Sequence, residues 1–160
     1  MATKSELTAG LEFLIQESKR LAGSLSEADW AKAEDMDGWK NTQVLAHVAG
    51  VGTIVVPFLT AMGNAPAGAD TTGGTDINAL NATLVGQREG KSPAELAEEV
   101  EKGYRGVIEF VRTAPPDLLE RHATAGGHKD LPISDLMMRM VVLHGLGHVY
   151  SAYAAVFNNP

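Results

Sequence analysis

Val44–Met62 and Met140–Phe157 contain no aspartate, glutamate, lysine or arginine, and this pair of charge-free stretches constrains the fold more than any other feature of the chain. Each is long enough to be weighed as a membrane span. Each also carries histidine, and the first is interrupted by Gly50, Gly52 and Pro57. Neither has the basic flanks or aromatic belts that anchor a span. In a soluble chain, a helix that is apolar on nearly every side is one buried on nearly every side. The expectation is two core helices with amphipathic helices packed around them, in a cytoplasmic protein with no membrane partner.

The remaining helix signals fit that frame. Thr3 and Glu6 have capping-box spacing ahead of a helix from about Ser5 to Gly23, whose Leu7, Leu11, Leu14, Ile15 and Leu21 form an inward stripe. Ser26 caps a short turn, Glu27 to Ala31, and an acidic loop follows through Asp37. The second long helix begins near Lys40 and reaches about Met62, and Pro57 removes the bond to the Thr53 carbonyl, which predicts a kink. Gly63 to Thr75 reads as a loop. Asp76 can cap a segment Ile77–Arg88, and Ser92-Pro93-Ala94-Glu95 is a strong start signal for a helix ending before Pro115-Pro116. His122 to Leu131 reads as a polar, glycine-containing connection. The final helix starts around Pro132 to Asp135 and stops at Asn158. No stretch alternates clearly enough to be a strand. Four main helices joined by short loops predict an all-α helical bundle, one domain over residues 1–160.

Composition narrows the function. The net charge is -7 with no basic run to offset it, so a nucleic-acid partner is not expected. There is no cysteine, which excludes disulfides and thiolate metal sites and fits a reducing compartment. Met1 to Gly10 lacks the apolar core of a signal peptide.

The chemistry concentrates on histidine. His144 and His148 are one turn apart and share a helix face with Met137, Met140, Val141 and Ser151. Burying two imidazoles there requires partners, since an unpaired buried polar group costs about 1–3 kcal/mol. One shared metal ion would satisfy both, as would separate hydrogen bonds to carbonyls or water. Gly145 and Gly147 each cost roughly 1 kcal/mol against alanine inside a helix and suggest close backbone approach. His47 lies on the other apolar helix and joins the pair only if the two helices are neighbours. His122 and His128 fall in the polar connection and are expected to face solvent, outside the site. The zinc-protease pattern is absent because Gly145 stands where its glutamate would be, and there is neither a nucleophile elbow nor a glycine-rich phosphate loop.

Taken together, Gly38-Trp39, the run Val44-Leu45-Ala46-His47, Asp76-Ile77-Asn78-Ala79-Leu80-Asn81, Ser92-Pro93-Ala94-Glu95-Leu96 and the terminal His144–His148 pair resemble the DinB-like superfamily over most of the chain. The resemblance implies a four-helix bundle of up-down-down-up topology, often homodimeric, with a divalent metal on three histidines, here His47, His144 and His148. It also implies a thiol-dependent transferase or isomerase using mycothiol, bacillithiol or glutathione, or a metal-dependent hydrolase. Two departures bear on the chemistry. Many members follow the last histidine with Arg-Gly-Gln, whereas this chain has Val149-Tyr150-Ser151, and mycothiol-dependent maleylpyruvate isomerases carry a further C-terminal domain. The metal ligands transfer residue by residue, while the thiol and the substrate do not.

The expectation is then a metal-dependent S-transferase acting on a small-molecule electrophile, with no catalytic side chain assigned. Its rivals are a hydrolase, a non-catalytic metal-binding stress-response module and a plain bundle with core histidines. Zinc is the default ion, and imidazole also suits nickel, iron and copper. A low-molecular-weight thiol would have to be supplied from outside, because the chain has no cysteine. The electrophile would lie against Met140, Val51 or Ile54, with Gly63–Thr75 as a lid and Ser151 as an orienting or packing residue. Two helices without charge on any face leave apolar surface for a second subunit, which predicts a homodimer.

Overall fold

In a computed structural model, which describes residues 1–32, 38–66 and 69–158, the chain is 73% helix and 7% strand. The acidic loop expected before Asp37 and part of the Gly63–Thr75 loop lie outside the described residues. Capping boxes set the helix starts. Thr3 with Glu6 opens α1 (Lys4–Ser24), Ser26 with Asp29 opens α2 (Glu27–Trp30), and Ser92 with Glu95 opens α5 (Pro93–Thr113). Each box ties up orphan backbone donors that the first turn cannot pair internally. The first charge-free stretch is α3 (Asn41–Asn64), which runs through Pro57 without interruption. Asp76 caps α4 (Ile77–Gly86), and the short α6 spans Pro116–Glu120.

The four long helices form one ring of neighbours, α1 against α5, α5 against α3, α3 against the last helix, and the last helix against α1. Ion pairs give the directions. Lys4 reaches the Ala114 carbonyl, Glu12 faces Arg105 and Arg112, and Lys19 pairs with Glu101, so α1 and α5 are antiparallel. Gly10 meets Val142 and Gly145 meets Leu14, so α1 and the last helix run the same way. Tyr104 Oη donates to the Val48 carbonyl at 3.3 Å and Gly63, near the end of α3, meets Leu118 just beyond α5, so α3 and α5 are parallel. The topology is up-down-down-up, as the resemblance to the DinB-like superfamily implies.

The helices that carry the two charge-free stretches, Asn41–Asn64 and Ile133–Phe157, are long and apolar enough to cross a membrane, yet both bury apolar side chains in the bundle's interior. Val44, Leu45, Val48, Ala49, Val55 and Leu59 of the first, and Val149, Ala152 and Ala155 of the second, are buried.

Two features correct the expectation. The stretch read as a polar, glycine-containing connection is a β-hairpin, β1 (His122–Ala125) antiparallel to β2 (His128–Pro132). Its turn is Gly126-Gly127, both at positive φ (56° and 80°), the conformation that two-residue hairpin turns need. The strands are too short for alternation to register: only Ala123 and Ala125 of β1 are buried. The neighbouring loop is tied to this hairpin, since Thr71 N donates to the Thr124 carbonyl at 3.1 Å and Gly126 N to Thr72 Oγ1 at 2.8 Å. The last helix is likewise not uniform. After α7 (Ile133–Met137) comes a π-helical turn, Met138–Leu143, and then α8 (His144–Asn158). Such wide turns occur mostly as single interruptions, frequently at functional sites, and no residue type announces them.

Candidate metal centre

Two helices bring three imidazoles together. His47 lies in the second turn of α3, and His144 and His148 open α8 directly after the π-helical turn. One donor nitrogen from each ring lies within 4.8 Å of the other two, and this is the grouping of ligand side chains found among the described residues. His47 Nε2 is 3.2 Å from His144 Nε2. The ring centroids stand 5.5 Å (His47–His144), 4.7 Å (His47–His148) and 4.5 Å (His144–His148) apart, all edge-on. His47 and His148 are buried, at 2% and 1% exposure, and His144 is exposed. The cluster therefore has a closed side and an open one.

Burial, with the charges that His148 and His144 would carry beside it, pushes the His47 imidazolium down to about 3. At neutral pH His47 is thus an uncharged ring whose lone pair is available, the form a metal requires. Its Nδ1 is buried without a hydrogen-bond partner among the described residues. Tetrahedral coordination with Zn–N bonds of about 2.0–2.1 Å would hold neighbouring nitrogens about 3.3–3.4 Å apart, close to the observed His47–His144 spacing. Imidazole is a ligand for zinc, nickel, iron and copper alike, so the donor set fits a divalent ion without choosing it.

Trp39, just before α3, completes the closed side. Its indole stacks on His148 (centroids 6.0 Å, planes 15° apart) and leans on His47 at 5.0 Å. Gly145 explains one glycine of the motif, because a Cβ there would fall 2.7 Å from Leu14 Cδ2 and α8 could not pack so closely on α1. Gly147 differs: a Cβ there meets nothing within 4 Å among the described residues, so close packing does not account for it.

The other sequence-singled residues fall elsewhere. His122 is exposed and its Nδ1 faces Asp130 Oδ1 at 3.1 Å in the hairpin, and His128 is half-buried in β2; neither joins the group of three. Val51, Ile54 and Met140 are half-buried and Ser151 sits one turn past His148.

Sequence reading missed a cleft on the far side of Trp39. It encloses about 710 Å³ between the start of α3, α4 and the turn leading into α5. Lys40, Arg88, Lys91 and Glu89 are its charged lining. Arg88 is 8% exposed; its Nε donates to Glu99 Oε2 and its Nη1 to the Leu84 carbonyl, both at 2.8 Å. Lys91 pairs with Glu99 as well. Burial alone would raise the Glu99 carboxyl, but Lys91 and Arg88 hold it below its ordinary value. The Asn78-to-Asn81 spacing on α4 was legible as a helix, not as a wall.

Two crystal structures of a mycothiol-dependent maleylpyruvate isomerase share the fold: one at TM-score 0.70 and 13% identity, covering 95% of this chain, and a point mutant at 0.65 and 14%, covering 91%. The chain spans only 63% and 62% of those two chains. An uncharacterized protein from Clostridium difficile 630 matches along nearly its whole length, with TM-score 0.69, 12% identity and coverage of 96% of this chain and 95% of that one. No curated protein sequence matches significantly. Residues 11–146 match the family of the mycothiol maleylpyruvate isomerase N-terminal domain. The chain belongs to that family, within the DinB-like superfamily.

Proposed function

We propose that the protein is a metal-dependent thiol S-transferase acting on small electrophiles, with His47, His144 and His148 as the ligands of one divalent ion. The observation that carries the reading is the convergence of three imidazole nitrogens within 4.8 Å, two rings buried and the third at the surface. A divalent ion held there would act as a Lewis acid, lowering the pKa of a thiol or water that reaches its open position. The protein's own contribution is positional. His47 stays uncharged in its buried seat, Trp39 walls off the inner side by packing on both buried rings, and exposed His144 leaves the outer side accessible.

A small thiol is the favoured nucleophile because the chain has no cysteine of its own, and because the family takes its name from a mycothiol enzyme. Metal-loaded protein should couple a small thiol to an aromatic electrophile, and the His144→Ala protein should not. Equal rates in the two would remove the transferase reading. Metal-dependent ester or amide hydrolysis in its place would support the hydrolase alternative.

The assembly we propose is a homodimer. Leu143, Tyr150 and Phe157 stand at seven-residue intervals along the last helix and are 56%, 47% and 78% exposed, an apolar line of the kind helices bury against one another. Sedimentation at micromolar concentration should give a dimer that Tyr150→Glu converts to a monomer. A monomeric parent protein would end the proposal.

A further inference from the structure

We propose that the cleft beside Trp39 binds a carboxylate-bearing polar molecule of about tripeptide size. Its roughly 710 Å³ lies within the range of about 300–1,000 Å³ common to small-molecule sites. The chain carries a net charge of -7, yet Lys40, Arg88 and Lys91 converge on this one cleft against Glu89 in its described lining and Glu99, which pairs with both Arg88 and Lys91, leaving one positive charge in excess. That bias favours an anion.

Arg88 makes the bias specific. Glu99 and the Leu84 carbonyl fix its guanidinium from behind, and the ring of contacts is tight, since a Cβ at Gly50 of α3 would lie 3.2 Å from Nη1. Nη2 makes no hydrogen bond among the described residues. A guanidinium already locked in place loses little freedom on binding and presents a planar donor edge, which suits a carboxylate better than a mobile ammonium would. Lys40 is exposed and takes part in no ion pair among the described residues, so its charge is available to the same ligand. Asn78 and Asn81, three residues apart on α4, put two amides on the same wall. They suit amide or hydroxyl groups between the carboxylate and the remainder of the ligand.

Trp39 connects the cleft to the histidines, because the indole that lines it also packs against His47 and His148. A molecule seated in the cleft meets the indole that packs on two of the three rings, and not the rings themselves. Binding there does not depend on the metal reading above.

The chain has two tryptophans, Trp30 and Trp39, so Trp30→Phe leaves Trp39 as sole reporter. Fluorescence and calorimetry should be run on this protein with γ-glutamylalanylglycine, which has no thiol, and with its diamide, in metal-loaded and chelator-treated samples. The expected result is a Trp39 response to the acid in both samples and binding of the diamide weaker by about tenfold or more, the scale of one charge-assisted hydrogen bond. Lys40→Gln should weaken the acid several-fold and leave the diamide alone; Arg88→Lys, which keeps the charge and loses the fork, should do the same if the variant melts cooperatively. Equal binding of acid and diamide, absence of binding by either, or unaltered acid binding in Lys40→Gln overturns the proposal. Discrimination without any thiol turnover would remove the transferase reading and leave the cleft standing, and turnover without discrimination would do the reverse.

Discussion

His47 Nε2 and His144 Nε2 are 3.2 Å apart although 97 residues separate them in the chain. Only the antiparallel packing of α3 against α8 makes that contact. Each of the three histidines should therefore be needed for stoichiometric metal, while the two hairpin histidines should not. Elemental analysis of untagged protein is expected to give about one divalent ion per chain, lost in His47→Ala, His144→Ala and His148→Ala and retained in His122→Ala and His128→Ala. His144→Ala is the cleanest of the three, because its ring is exposed and its loss leaves no core cavity.

The depressed His47 titration has a consequence for the metal-free protein. Its ordinary value is 6.5 and its folded value about 3, so between those limits the unfolded chain binds a proton that the folded chain does not. Stability from this group is complete above about pH 6.5, falls as the pH drops toward 3, and changes no further below. Thermal melts of chelator-treated protein from pH 7 to pH 4 should show a steeper loss than melts of His47→Gln, which lacks this contribution and keeps those of the other histidines and the carboxylates. Parallel curves would mean that the ring is solvated in the metal-free state.

The two glycines of the His144–His148 segment should respond in opposite directions to the same change. Gly145→Ala drives a methyl to 2.7 Å from Leu14 Cδ2, and Leu14 is fully buried, so overpacking should cost about 1–3 kcal/mol. Gly147→Ala meets nothing within 4 Å among the described residues and should gain up to about 1 kcal/mol from helix propensity alone. Denaturant unfolding of the two variants distinguishes these outcomes. A Gly147→Ala protein that keeps its stability and loses turnover would show that the open space belongs to a ligand.

What could be read in advance followed physical rules local to the chain. Thr3, Ser26 and Ser92 announce helix starts because their hydroxyls satisfy backbone donors a few residues on. The charge-free runs announce core helices because burial excludes unpaired charge. The histidine trio was legible as two sequence-adjacent ligands plus one conditional partner, and the condition was helix adjacency, a tertiary fact. The hairpin escaped because its strands are four and five residues long, although Gly126-Gly127 is a recognised turn signal. The cleft escaped because Lys40, Asn78, Arg88 and Lys91 come from three separate segments that only packing unites. Gly147 had the right residue type and the wrong reason.

The wide turn at Met138–Leu143 bears on how this chain is compared with others. Ile133, Met137, Val141 and Gly145, at four-residue steps, all stay inside, whereas four residues of regular α-helix overshoot a full turn by about 40° at every step. The turn absorbs that drift with one additional residue. A relative whose last helix is unbroken would present the same inward positions one residue shorter. Alignments across this segment should therefore permit a single-residue gap between the Ile133 and His144 ends of the helix, and a pattern of fixed length anchored on the upstream core would misplace both terminal histidines by one position.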